Sequence, residues 1–289
     1  MNQSIQEKKT IPRVSIGMPV YNGERFIRKA IESLLAQTIA EFELIISDNA
    51  STDGTEAICR DYAKRDARIR YVRQSVNQGA VANFKFVLEQ SAGLYFMWAA
   101  ADDYWSSNWL EVLLGDFVSG TALAFGHVVS VDESDNLIER FKYRGFSNIA
   151  FVSWVQYFLR EEFYYKANYI YGLYKRQGLL RFAFGTTYGA DNHFVFEVIQ
   201  QGKLSTNPNA LFFKRTAATS EAASAKEASS GFIRKLLLLD LLPYYVIFPK
   251  IARGYLLKIV ILTLIPLKYF KSLCFLAYRI ISGRLRRRG

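Results

Sequence analysis

Two adjacent carboxylates, Asp102 and Asp103, close an apolar run and are the residues whose type and placement most directly suggest chemistry. Residues 95–100 read Tyr-Phe-Met-Trp-Ala-Ala, too apolar for a surface strand, and predict a strand buried on both faces. The aspartates then stand at its C-terminal end. In open α/β sheets that edge receives ligands, and paired hard oxygens there suit Mg²⁺ or Mn²⁺ carrying a phosphate. A helix N-cap uses the same residues: Asp102 or Asp103 could cap a helix starting near Ser106 or Asn108.

The elements that must position this pair precede it. Residues 14–18 predict a first strand running into the turn-rich Pro19-Val20-Tyr21-Asn22-Gly23. A helix from about Glu24 carries Ile27, Ile31, Leu34 and Leu35 on one face. Residues 42–47 predict a second strand, ending in the polar Asp48-Asn49-Ala50-Ser51-Thr52-Asp53-Gly54-Thr55 and a helix through Tyr62. Residues 70–72 predict a third strand, and Asn77-Gln78-Gly79 opens a helix with Val81, Phe84, Val87 and Leu88 as its apolar face. Such alternation calls for a mostly parallel sheet with helices on both faces, an α/β fold in which every strand C-terminus opens on one crevice. Asp48 and Asp53 also have the types expected of helix caps, and Asn77-Gln78-Gly79 alone is a common turn.

The ordered succession Pro19-Val20-Tyr21-Asn22, Asp48 through Thr55, Asn77-Gln78-Gly79 and Asp102-Asp103 resembles the nucleotide-binding half of family 2 glycosyltransferases of the GT-A fold, of the bacterial polysaccharide and cell-envelope type. The resemblance spans roughly residues 13–130. It implies that Pro19, Tyr21, Asn22 and Asp48 contact the base and ribose of a UDP- or dTDP-sugar, with Asn77 and Gly79 beside them. Asp102 and Asp103 would hold Mg²⁺ or Mn²⁺ with the diphosphate. Members often carry Asp-x-Asp, and Ala100 stands at the first of those positions here.

Beyond Asp103, residues 123–129 predict another buried strand, with residues 137–143 as a hairpin partner across an Asp-rich turn. Residues 151–174 are dense in aromatics, which fill cores and also stack on sugar rings; the core is the expected home for most. Asp191 opens a helical pattern at Phe194, Val198 and Ile199. In the resembled family a carboxylate at the start of this helix is the catalytic base, usually as Glu-Asp; here Ala190 replaces the Glu, and an N-cap is the structural alternative for Asp191. His127 and His193 read as local hydrogen-bonding residues. Phe212-Phe213-Lys214-Arg215 predicts the last strand of the domain. Thr216 and Thr219 stand where the family tends to have a histidine.

The net charge of +11 is uneven: from Arg215 onward there are 14 Lys and Arg against three acidic residues, leaving 23 of each sign before it. That argues against a nucleic-acid-binding body and for a tail meeting anionic lipid. Residues 216–231 read as a loop or linker. Residues 232–289 alternate short apolar runs with Lys and Arg, and Pro243, Pro249 and Pro266 are expected to break them into short amphipathic helices lying in the inner-leaflet interface. A re-entrant hairpin and a tail packed on a dimer partner are the alternatives. The polar residues 1–10 lack the apolar core of a signal peptide, and Cys59 and Cys274 form no disulfide framework, so a peripheral protein on the cytoplasmic membrane face is expected. The divisions expected are 1–12, a nucleotide-sugar half at 13–130, an acceptor half at 131–215, the linker and the tail. Together these imply an inverting transferase acting on a glycan or lipid-linked acceptor. A nucleotidyltransferase and a non-catalytic membrane-associated binding protein are the alternatives; the first usually has a Gly-rich, Lys/Arg-bearing loop after strand one, which residues 19–23 are not.

Overall fold

The computed structural model describes residues 11–140, 145–160, 166–181, 190–216 and 242–286. In chain order the elements are β1 (Val14–Val20), α1 (Ile27–Leu35), β2 (Phe42–Asp48), α2 (Thr55–Arg65), β3 (Ile69–Arg73), α3 (Ala80–Glu89), β4 (Tyr95–Trp98), β5 (Tyr104–Trp105), α4 (Trp109–Gly115), β6 (Thr121–Val131), β7 (Leu137–Arg140), α5 (Ala150–Leu159), β8 (Leu173–Lys175), α6 (Arg176–Leu179), α7 (Ala190–Ile199), β9 (Lys203–Arg215), α8 (Leu242–Ile251) and α9 (Tyr255–Arg286). They fall into two compact units, one of Met1–Glu111 with Leu173–Arg181, the other of Val112–Gly172 with Phe182–Gly289.

In the first unit the strand order is β3-β2-β1-β4-β8. The first four strands are parallel and β8 closes antiparallel on β4. Parallel strands buried on both faces need unbroken apolar stretches, and Ile16, Met18, Leu44, Ile45, Ile46, Phe96, Met97 and Trp98 are all buried. Gly17 lets α3 press on β1: a Cβ there would meet Val87 Cγ2 at 2.6 Å. The Trp98 indole N–H fastens α3 by donating to the Phe84 carbonyl at 3.0 Å. Asn83 and Ser47 exchange two hydrogen bonds that tie α3 to β2 as well. Val81 is exposed and lies off the packed face expected for α3.

Pro19 lies inside β1, where a missing N–H ordinarily breaks a ladder. Here Ala99 N–H donates to the Gly17 carbonyl, so residues of that parity face β4. The β4 register ends at Gly17↔Trp98, before Pro19. The strand therefore forfeits no bond at Pro19.

The helix expected from Glu24 begins at Ile27. Before it, Glu24 N–H donates to Asp53 Oδ2 at 3.0 Å and Glu24 Oε2 accepts from Gly54 N–H at 2.8 Å, so the turn that closes on the Gly23 carbonyl through Phe26 and Ile27 N–H is also fastened to the β2 loop.

In the second unit β6 pairs parallel with β9 and antiparallel with β7. The last strand runs from Lys203, not only over residues 212–215 as expected. The strand passes through Asn207-Pro208-Asn209, and its ladder with β6 carries a register shift between Phe125 and His127. Tyr157, Phe158 and Tyr169 are buried here, as Tyr174 is in the first unit, which places these rings of the aromatic segment in cores. Phe163, Tyr164 and Tyr165 lie outside the described residues.

The tail departs most from expectation. α9 continues for 32 residues through Pro266, and α8 contains Pro249. Proline fixes a φ that a helix already uses, so the loss is one intrahelical bond plus a steric adjustment, about 3 kcal/mol in a helix interior. Pro266 is exposed, so solvent is open to that turn. Pro243 sits in the first turn of α8, where no N–H is missed. α8 packs through Phe248, whose ring meets Phe158 at 5.2 Å and Phe196 at 5.0 Å. Residues 217–241, which carry most of the expected linker and the start of the tail, lie outside the described residues.

Candidate active site

The C-terminal edge of the parallel strands in the first unit is stitched together loop to loop. After β1, Asn22 adopts a left-handed conformation (φ 53°), which asparagine tolerates better than most residues. Its N–H donates to Ser51 Oγ at 2.9 Å, and its side-chain Oδ1 accepts from Thr52 N–H at 2.8 Å. Gly23 N–H donates to Thr55 Oγ1 at 2.8 Å. The β1 loop is thus fixed on the β2 loop.

The β2 loop is in turn fixed on the β3 loop. Asn49 Nδ2 donates to Asn77 Oδ1 at 2.8 Å and Asn49 Oδ1 accepts from Gln78 N–H at 2.9 Å. Asn77 Oδ1 also accepts from Gly79 N–H, and Gly79, at φ +83°, turns the chain into α3 with open space over its Cα. A side chain there would need a conformation that L-residues avoid.

Asp48 lies beneath this surface, fully buried. Its Oδ1 accepts from Ser51 N–H at 2.8 Å; its Oδ2 accepts from the Tyr71 hydroxyl at 2.7 Å and from Arg73 Nη1 at 2.8 Å. Arg73 also donates through Nη2 to the Ser51 carbonyl at 2.9 Å and pairs with Glu56 at 3.2 Å. Asp48 is therefore an internal anchor of the loop in this structure, with a desolvated carboxylate satisfied by three donors. Asp53 is held below the ordinary carboxylate range: burial opposes this, but hydrogen bonds from Thr55 and the Glu24 backbone outweigh it.

After β4, Asp102 is exposed and Asp103 is 1 % exposed, so only Asp102 of the pair stands open to a ligand. Ala101 lies against the β1 loop, 3.5 Å from where a Gly23 Cβ would stand. The segment beyond is anchored on α1: Gln37 Nε2 donates to the Ser106 carbonyl, Gln37 Oε1 accepts from Leu110 N–H, and Thr38 N–H donates to the Ser107 carbonyl. The helix that a capping aspartate would serve starts at Trp109, beyond reach of an N-cap at Asp102 or Asp103.

Of the residues expected at the site, Pro19, Tyr21, Asn22, Asp48, Asn77, Gly79, Asp102 and Asp103 all belong to this unit. Tyr21 is 50 % exposed, and Asn22, Asn77, Gly79 and Asp102 are exposed as well. Tyr71 and Arg73, which hold Asp48, are neighbours that the sequence reading passed over. The sequence shows only that they are i and i+2 on one strand; that Arg73 is in register with Asp48 comes from the strand pairing.

Among the described residues no group of three or more His, Cys, Asp or Glu converges to hold a metal ion. Asp102 fits a different mode, in which Mg²⁺ or Mn²⁺ takes one carboxylate and completes its shell with phosphate oxygens and water.

Asp191 belongs to the second unit. It is the second residue of α7, within the first turn, so the helix does not use it as N-cap. Its Oδ1 accepts from Asn192 N–H at 2.9 Å, and a carboxylate there is favoured by the helix dipole. α7 is rigidly seated: the Tyr157 hydroxyl donates to the Asn192 carbonyl at 3.3 Å and the Trp154 indole reaches the Ile199 carbonyl at 2.8 Å. His193 is buried edge-on against Phe248, and burial followed by the Arg140 charge lowers the pKa of His127. Thr216 is hydrogen-bonded to Ser130, and Thr219 lies outside the described residues.

The sequence pattern of Glycosyl transferase family 2 matches residues 15–186, more than half of the chain. The chain belongs to this family. Among its relatives is a GalNAc(5)-diNAcBac-PP-undecaprenol beta-1,3-glucosyltransferase of Campylobacter jejuni, 30 % identical over 136 residues, which are 47 % of this chain and 44 % of that protein. The fold of this family 2 chain is of the GT-A type. A mannosyltransferase from Pyrobaculum calidifontis, solved with GDP-Man and Mn²⁺, superposes with a TM-score of 0.62 at 17 % identity over 96 % of this chain and 76 % of that one. S. aureus TarS 1-349 in complex with UDP gives 0.58 at 17 % identity over 71 % and 60 %. The chain spans less than half the length of the curated relatives it matches.

Proposed function

We propose that the chain transfers a sugar from a nucleoside-diphosphate sugar, UDP- or dTDP-linked, to a hydroxyl of a lipid-linked glycan at the cytoplasmic membrane face, with inversion at the anomeric carbon. The observation that carries this reading is the edge of the first unit, where three loops are hydrogen-bonded to one another after the parallel strands and Asp102 is exposed after the fourth. Family membership agrees, as do UDP and GDP-Man in proteins of the same fold. The lipid-linked acceptor is supported by the undecaprenol-linked substrate in the name of the Campylobacter relative and by the basic, apolar tail.

Each residue has a role in this scheme. Tyr21 and Asn22 cover the nucleoside, with Pro19 shaping their loop. Asn77 and Gly79 border it, and Asp48 keeps the loop beneath it rigid through Tyr71 and Arg73. Asp102 would hold a divalent ion, which when bound offsets charge on the diphosphate. Asp191 takes the proton of the acceptor hydroxyl as its oxygen attacks, and the nucleoside diphosphate leaves from the opposite face.

The test is a transfer assay over a panel of nucleotide sugars with polyprenyl-linked and soluble acceptors, with the anomeric configuration of product read by NMR. Transfer from one donor with inverted configuration is expected. Failure with every donor, or retained configuration, overturns the reading.

A further inference from the structure

α9 has two apolar faces, and among the described residues only one is buried. Leu257, Ile261 and Lys268 are buried and lie within a narrow arc, about 40° wide at 3.6 residues per turn. This is the face packed on the unit: the Lys268 ammonium donates to the carbonyl of Arg160, the residue that follows α5, and α8 packs alongside. On the opposite side Tyr255, Leu256, Ile259, Leu262, Leu267 and Phe270 are exposed, Tyr255 by 81 % and Phe270 by 64 %. The same helical arithmetic puts all six in one arc of about 140°, with Thr263, Pro266 and Cys274 the other exposed members. No charged residue enters that arc between Tyr255 and Cys274, a rise of about 30 Å.

Charge frames the strip. Lys250, Arg253 and Lys258 are exposed at or before its start, and α9 carries six Lys and Arg with no acidic residue. Over residues 232–289 the count is 12 basic against Asp240 alone. Among the described residues no helix is long and apolar enough to cross a membrane. A bare apolar stripe with cations and no anions is the pattern of a helix lying in a negatively charged lipid interface.

We propose that the Tyr255–Cys274 face of α9 is a docking surface for anionic lipid, with this strip sunk among the acyl chains and Lys250, Arg253 and Lys258 at headgroup level. The opposite face stays packed on the unit, so the globular body is held directly against the membrane. This deepens the membrane-side reading of the acceptor and rests on it only for its purpose.

The chain supplies its own probe. Cys59 is buried, and burial, then the charges of Asp48 and Asp53, push its thiol up to about 12, whereas Cys274 is exposed on the strip. A thiol-reactive NBD label on the full chain should therefore report from Cys274. With phosphatidylglycerol-containing vesicles the label is expected to shift to the blue and brighten, with co-sedimentation that weakens as salt rises. Pure phosphatidylcholine vesicles should give far less. The double variant Ile259→Glu with Phe270→Glu, both at exposed positions, should lower vesicle affinity by about tenfold or more. Its melting temperature and nucleotide affinity should stay at the parent values.

Equal binding to neutral vesicles, or parent-like binding of the double variant, overturns the proposal. So does a dimer in light scattering that the same variant dissociates, which would make the strip an interface between copies. Transfer to a soluble acceptor in the same samples separates the two claims. Absent transfer with lipid binding intact sinks the proposed activity and leaves the docking surface standing, and the reverse result does the opposite.

Discussion

The Tyr71 hydroxyl and the buried Asp48 carboxylate are joined by a 2.7 Å hydrogen bond, made to the same oxygen that Arg73 holds at 2.8 Å. Burial first, then the hydrogen bond to Asp48 and its charge, raise the Tyr71 pKa well above its ordinary value. A raised pKa means the folded state favours the protonated hydroxyl. The stability this contributes is complete below the unfolded value of about 10 and is lost as pH rises through the higher folded value. Tyr71→Phe should cost about 1 kcal/mol at pH 7, discounted for partial exposure of the cluster. Urea midpoints of the two proteins should converge as pH passes above about 10. A constant gap across that range would remove Tyr71 from the account.

Ala50 holds φ 62° in the loop that Asp48 anchors, a conformation costing a non-glycine residue about 1–2 kcal/mol. Ala50→Gly relieves it and forfeits part of the gain through unfolded-state entropy, for a net stabilisation of about 0.5–1 kcal/mol. Ala50→Val should destabilise by more than about 1 kcal/mol, because a β-branched side chain is worse at positive φ. Thermal melts of the pair check both signs.

The parallel order of the first four strands was legible because each is a short apolar run ending in a polar loop, and such alternation admits few topologies. The clustering of Pro19, Asp48 and Asn77 follows from that order alone. What the sequence did not disclose is orientation within the cluster. Asp48 and Asp102 are both strand-end aspartates, yet one is fully buried and the other exposed. The difference lies with Tyr71 and Arg73, whose contribution depends on strand register, and register is a property of pairing that no single strand carries. The tail was misread for a related reason: prolines count as breakers in a local reading, but α9 passes Pro266 with Leu257, Ile261 and Lys268 buried on its packed face.

Asp102→Ala should remove the metal dependence of nucleotide binding. Loss of even an outer hydrogen-bonding partner costs about 10- to 100-fold in metal affinity, so loss of a direct ligand should cost at least as much. Calorimetry with UDP is expected to show that fall with Mn²⁺ present and little change with EDTA. Asp103→Asn is the contrasting variant: because Asp103 is buried, its effect should appear in the melting temperature more than in Mn²⁺ response. If Asp103→Asn abolishes the Mn²⁺ response and Asp102→Ala leaves it intact, the assignment of the pair is reversed.

Asp191 carries the proposed inversion. An acceptor hydroxyl is a poor nucleophile at neutral pH, so a positioned base must take its proton as it attacks the anomeric carbon. A carboxylate with a reference pKa of about 4 is ionised at pH 7 and can serve within about 3 Å of the hydroxyl. In the proposed scheme Asp102 serves the leaving diphosphate, which leaves the proton of the acceptor to another carboxylate. Asp191 lies in the first turn of a helix seated by Tyr157 and Trp154, and its Oδ1 accepts from Asn192 N–H. Asp191→Asn preserves shape and the hydrogen bond to Asn192 while removing the basic oxygen. Nucleoside-diphosphate affinity and melting temperature should stay close to wild type, and transfer should fall by the roughly 10²–10⁴-fold of a lost general base. Asp191→Glu, which keeps the charge but displaces it by one methylene, should recover part of that loss. An Asn variant that transfers at the wild-type rate would leave Asp191 with a purely helical role and send the search for the base elsewhere in the second unit.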